Sequence, residues 1–111
     1  MKVVYVAGPY RGANAWDVAE NIRAAERLGF EVAKLGLMPL IPHANTAHFD
    51  GTLTGEFWLE GTLELMRRCD AAIFTQDWGR SEGAKGEHEE ALRLGMPVFH
   101  TIVALSEWSA R

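Results

Sequence analysis

Apolar residues fall along this chain in two patterns, short unbroken runs and longer stretches in which they recur every three or four positions. Residues 2–7 (Lys-Val-Val-Tyr-Val-Ala) are a β-branched run of the kind that fits a central strand covered on both faces. Residues 37–41 and 71–75, and the segment 94–103 around Val98 and Phe99, repeat the pattern and predict three further strands. Between the runs the period changes to that of a helix. Val18, Ile22, Ala25, Gly29 and Val32 lie on one helical stripe, Asn14 can cap its start and Gly36 can close it in a left-handed conformation. Phe57, Leu59, Leu63 and Met66, interleaved with Glu56, Glu60 and Glu64, predict a second helix ending at Arg67 and Arg68. Residues 87–94 predict a third and residues 105–111 a short fourth.

The connections are short, and strand alternates with helix four times. That order predicts an α/β fold with a parallel sheet, right-handed crossovers and helices on both faces. The expected architecture is a single domain over residues 1–111, three-layered and flavodoxin- or Rossmann-like, with four to five strands. Pro39 places the second strand at an edge, where a missing N–H costs least. Asp70, just before the third strand, reads as a structural turn residue. Residues 42–55 read as one long loop.

Composition narrows the partners rather than the fold. With 111 residues, 48% of them hydrophobic and 23% charged, the chain has ordinary globular proportions. A net charge of −4 supplies no basic stripe for a polymeric nucleic acid. A small anion held by one or two local cations remains compatible. No apolar run approaches the roughly 20 residues of a membrane span, the single Cys69 excludes an internal disulfide, and no signal-peptide pattern opens the chain. A cytoplasmic protein is expected.

Chemistry concentrates where strands end. The segment from Trp78 to Ala91 contains Ser81, Gly83 and Glu87 and joins the third strand to a helix, at the sheet edge where open α/β folds place ligands. A helix starting near Ser81 or Glu82 would turn the amides of Gly83, Ala84 and Lys85 toward an anion. Glu87 would sit one turn in, and the positive helix end would favour its carboxylate form, suiting a nucleophile or base; a solvated Glu on an exposed face is the competing interpretation. After the first strand, Gly8 and Gly12 permit close backbone approach and Arg11 offers a planar fork for phosphate or carboxylate. His43, beyond the second strand, reaches the same edge and is a candidate for substrate contact or proton transfer. His43, His48 and Asp50 match no metal-ligand spacing, so no metal is expected.

Two spaced motifs, Tyr5-x-x-Gly8-x-x-Arg11-Gly12 and Ser81-x-Gly83-x-x-x-Glu87, together with Cys69-Asp70 and Gly95-Met-Pro-Val98, resemble the nucleoside 2-deoxyribosyltransferase superfamily over nearly the whole chain. The layout is most similar to the small deoxynucleoside 5′-monophosphate N-glycosidases and to uncharacterised, often phage-associated relatives. The resemblance implies a retaining mechanism in which Glu87 attacks C1′ of a 2-deoxyribosyl unit, with Tyr5 beside the reacting centre. It implies that Gly8, Tyr10, Arg11, Gly12, Ser81 and Gly83 surround a 5′-phosphate, with Trp78 joining the substrate contacts. It also implies no metal or organic cofactor, a small (deoxy)nucleoside or nucleotide as partner, and a homodimer or higher homo-oligomer. The second helix, with Trp58 at the centre, is the expected interface.

One position departs from that family. An aspartate normally found on the second helix, eight residues before the strand-leading aspartate, is Thr62 here. Asp77, Glu60 and His43 are the remaining candidates to protonate a departing base, and Asp77 is nearest the central loop. Two other functions fit the same residues: a non-catalytic sensor of nucleotide derivatives, which Thr62 favours, and a glycohydrolase of a ribonucleotide such as a nicotinamide dinucleotide.

Overall fold

The structure is a computed structural model that describes residues 1–49 and 51–111. Its centre is β1 (Val3–Ala7), which is hydrogen-bonded to a parallel strand on each side. The neighbours are β2 (Met38–Leu40) and β3 (Ala71–Phe74), and β4 (Val98–Phe99) pairs with the far side of β3, giving the order β2-β1-β3-β4. As Pro39 required, β2 is an edge.

Strand alternation distributes the core between two faces. Val4, Val6, Ala71 and Ile73 meet Ala25 and Val32 of α1 (Ala15–Lys34) and Leu105 of α5 (Ile102–Ser109). Tyr5, Ala7, Ala72 and Phe74 point the other way, against Met66 of α3 (Gly55–Arg67) and Ala91 of α4 (Glu82–Arg93). The fold is therefore the expected three-layer parallel α/β arrangement, with four strands.

Local chemistry sets the helix ends. Asn14 caps α1 by accepting the Asp17 amide, and Gly36, at φ 84°, follows its end in the left-handed region. Thr54 caps α3, Ser81 caps α4 and Thr101 caps α5 through the same side-chain contact to the third residue on. Asp70 acts as a turn residue: its carboxylate accepts the Val3 amide at 2.8 Å while its own amide donates to the Val3 carbonyl.

The expected loop after β2 contains a turn of helix, α2 (Pro42–Asn45). Proline at the first helical position explains it, since its fixed φ suits that position and its missing N–H would have had no partner there. The sheet is also shorter at its ends than the apolar runs suggested. Thr75 lies beyond β3, and β4 has two residues. Among the described residues no helix is long and apolar enough to cross a membrane.

Gly8 and Thr75 directly follow the two central strands and lie side by side. A Cβ on Gly8 would lie 2.6 Å from the Thr75 hydroxyl and 2.8 Å from its methyl, and a β-branched side chain has little freedom to withdraw. Gly8→Ala is expected to destabilise the chain by about 1–3 kcal/mol in urea unfolding. Combining it with Thr75→Ala should recover part of that loss, whereas additive losses would show that the two positions do not compete for space.

Candidate functional site

The sheet order fixes where a site can form. The chain leaves β1 toward α1 on one face and leaves β3 toward α4 on the other, so the loops diverge above these adjacent strands and open a crevice at the topological switch point. A cavity of about 610 Å³ occupies that crevice. Its walls come from β1 and the loop after it, from α2, from one face of α3 and from the start of α4.

Tyr5 and Glu87 form its floor. Tyr5 points to the α3/α4 side because it alternates with Val4 and Val6, and its hydroxyl donates a hydrogen bond to the Glu87 carboxylate. Both side chains are buried, Glu87 to 7% exposure. Burial pushes the Glu87 carboxyl up from its ordinary 4.5 to about 7, while the bond from Tyr5 pulls it down. The phenol itself is raised well above 10.0, first by burial and then by the neighbouring Glu87 charge, with the Thr62 hydroxyl acting in the opposite direction. Tyr5 is thus held as a donor. The expectation that the helix end would keep Glu87 ionised is corrected: desolvation of a buried charge outweighs a dipole effect of about 0.3–1 kcal/mol.

The rim carries groups suited to an anion. Ser81 caps α4 with its hydroxyl oxygen accepting the Ala84 amide at 3.2 Å, and the Lys85 amide donates to the Ser81 carbonyl at 2.9 Å. Ala84 and Lys85 are therefore occupied, contrary to expectation, and the amides offered by the helix start are those of Glu82 and Gly83. The Ser81 hydroxyl still has its own proton to donate. Arg11 lies against the first turn of α3, where a Cβ on Gly55 would come within 2.8 Å of its guanidinium. Among the described residues it has no salt-bridge partner.

His43, on α2, is buried and turns its Nε2–H to the carbonyls of Gly8 and Pro9 at 3.1 and 3.0 Å. Two acceptors at one nitrogen require the proton to be there. Burial lowers its pKa, so the ring is a neutral clamp on the loop after β1. Of the three loop residues weighed as metal ligands, Asp50 lies outside the described residues and His43 is engaged in this clamp.

The cavity brings together Tyr5, Gly8, Tyr10, Arg11, His43, Ser81, Gly83 and Glu87. Three other site candidates lie apart from its walls. Gly12 packs against α1, where a Cβ would meet Asp17 at 2.4 Å. Asp77 accepts from the Thr75 hydroxyl at 2.8 Å and from Arg80 at 3.0 Å, and these bonds lower its pKa against the opposing effect of burial. It is a poor proton donor. Trp78 starts a 3₁₀ turn (Trp78–Arg80) and stacks on His88 with ring centroids 4.1 Å apart. That turn carries Arg80 onto the cavity wall instead, a residue whose position beside the Ser81 cap was the available signal. Trp58 and Thr62 also line the cavity. Trp58, the expected centre of an interface, is half-buried between Phe49 and Phe57.

The fold has a solved counterpart. A 2-deoxyribosyltransferase from the psychrotolerant bacterium Bacillus psychrosaccharolyticus superposes with a TM-score of 0.64 over 86% of this chain and 69% of its own, at 19% sequence identity. The likeness establishes a shared fold. No curated protein sequence matches the chain. The family model for a domain of unknown function, DUF7768, matches residues 2–101, and the chain belongs to that family.

Proposed function

We propose that this protein cleaves or transfers the N-glycosidic bond of a (deoxy)nucleoside or its 5′-monophosphate, with Glu87 as nucleophile. The observation that carries this reading is a buried carboxylate hydrogen-bonded to a buried tyrosine on the floor of a cavity whose rim supplies Arg11, Ser81 and the Gly83 amide. In the ionised form, a Glu87 oxygen attacks C1′, the C1′–N bond breaks and the base leaves with the electron pair, taking a proton from solvent. Attack by water or a second base at C1′ then breaks the ester and restores the carboxylate. Tyr5 orients the attacking group, and the rim binds the 5′ end. The deoxyribosyltransferase of the same fold supports the substrate class.

A second reading, a binding module without turnover, is favoured by Thr62 and by the engagement of Asp77 outside the cavity. Incubation with a panel of deoxy- and ribonucleosides and their monophosphates, scored for free base and for calorimetric binding, separates the two.

The exposed Phe49, Leu53, Phe57 and Leu59 follow one another along the segment that leads into α3, and Leu59 lines the cavity. Apolar residues grouped in this way suit an interface, and the reading includes a homodimer that covers this rim. Light scattering is expected to give twice the chain mass at micromolar concentration. A monomer with full activity would rule it out.

Glu87→Gln is expected to abolish base release while leaving nucleotide binding nearly intact, since an amide cannot form the glycosyl ester. The same change has a signed effect on stability. A carboxyl raised from 4.5 to about 7 in the folded state contributes most below its unfolded value, and that contribution is lost as pH rises through about 7. Thermal melts should therefore show Glu87→Gln gaining on the unaltered protein between pH 5 and pH 8, and a constant difference would contradict the buried carboxyl. For the unaltered enzyme, kcat/KM should climb through a pH of about 7 as Glu87 ionises. Because the Tyr5 bond lowers the Glu87 pKa, Tyr5→Phe should move that limb to higher pH, and an unmoved limb would assign the titration elsewhere.

A further inference from the structure

The two loops of the anion rim are tied by a chain of side chains that the proposed chemistry does not use. Asn21, in the second turn of α1, donates through Nδ2 to the Tyr10 carbonyl at 3.0 Å and the Arg11 carbonyl at 3.2 Å. Its Oδ1 accepts from Arg80 Nη2 at 3.0 Å. The amide's orientation is fixed by its partners, because carbonyls only accept and a guanidinium only donates. Arg80 Nε donates to Asp77 Oδ2 at 3.0 Å, and Asp77 Oδ1 accepts from the Thr75 hydroxyl at 2.8 Å. A continuous strut thus runs from the end of β3 through Asp77, Arg80 and Asn21 to the loop after β1.

Energetics argue against a simple stabilising role. Arg80 and Asp77 are about half exposed, at 54% and 50%, and an exposed pair contributes little to folding. The geometry has a different consequence. A trans peptide sets each carbonyl opposite the following N–H, so holding the Tyr10 and Arg11 carbonyls toward Asn21 turns the Arg11 and Gly12 amides away from α1. At the other end the strut holds Arg80, which lies on the cavity wall directly before Ser81.

We propose that Asn21 and Arg80 are positioning residues that fix the separation of the two rim loops, and so determine how strongly the site prefers a phosphorylated over an unphosphorylated sugar. This rests on the reading of the rim as a phosphate site. Asp77, placed at the reacting centre by sequence, anchors the strut.

The test is a titration of inorganic phosphate into the full chain, followed by amide chemical shifts that also report whether each variant is folded. Asn21→Ala and Arg80→Ala should each weaken phosphate about tenfold, a typical loss for one charge-assisted contact. The double variant should lose about tenfold as well, because both changes cut the same link. Arg80→Lys, which keeps the charge but cannot span Asp77 and Asn21 together, should bind as weakly as Arg80→Ala. Asn21→Asp, near-isosteric but facing the loop carbonyls with an acceptor, should behave as Asn21→Ala does and covers the case in which that variant fails to fold. Losses that multiply in the double variant, full affinity in Arg80→Lys, or no phosphate binding by the unaltered chain would each overturn the strut. Base release from the substrate panel tests the glycosidic reading separately: coupling without released base overturns that reading alone, and released base with multiplying losses overturns the strut alone.

Discussion

A carboxylate buried against a phenol is the constraint on which this structure turns. Glu87 is on α4, Tyr5 is on β1, and their side chains meet because strand alternation sends Tyr5 to the face that α4 covers. An unpaired ionised carboxylate could not be held in that position, since burial without a partner costs several kcal/mol. The Tyr5 hydroxyl supplies one charge-assisted bond and leaves the rest of the penalty in place, which is why the carboxyl sits near neutrality and not at its ordinary value. A group in that state is a strong nucleophile once ionised, because little solvent has to be stripped from it. The fold carries the cost in the form of a less stable charged state.

The rest of the site follows from keeping that pair dry while leaving a way in. Loops diverging above β1 and β3 open the crevice, and α3 closes its side with Trp58, Leu59 and Thr62. Backbone carbonyls of the loop after β1 are then held from two directions. His43 takes those of Gly8 and Pro9, and Asn21 takes those of Tyr10 and Arg11. A loop of this composition, with glycine at both ends, would otherwise sample many conformations. Fixing four successive carbonyls restricts that freedom in the free protein, so a ligand bound at this loop would cost less ordering entropy.

Much of this was legible in the sequence because it depends on local chemistry. The Asn14 cap, the helix start near Ser81, the glycine after α1, the edge position of β2 and the turn role of Asp70 all follow from residue types at short range. The motif around Glu87 pointed to the crevice through its place after a buried strand. What sequence could not supply was direction. Whether Asp77 and Trp78 face the crevice depends on the 3₁₀ turn between β3 and α4, which a string of polar and small residues does not announce. The raised pKa of Glu87 has a related origin: its dipole environment is local, but the burial that raises it comes from packing between elements distant in sequence.

The same distinction bears on Thr62. A threonine stands on α3 where the sequence resemblance leads one to expect a carboxylate, and it lines the cavity beside Tyr5. A second carboxylate near Glu87 would raise the Glu87 pKa further by like-charge repulsion. Burial, set against the opposing Tyr5 bond, already leaves it at about 7, so an added negative charge on this buried floor would favour the protonated form at neutral pH. Threonine avoids that repulsion and still presents a hydroxyl toward the phenol. Its Oγ1 donates to the Leu59 carbonyl at 2.9 Å, which leaves the oxygen lone pairs free to accept from a donor in the cavity. Threonine at this position is therefore compatible with the nucleophilic role proposed for Glu87, and it offers no acid to a departing group. Under the proposed function, such a cavity would suit leaving groups that depart without strong acid assistance.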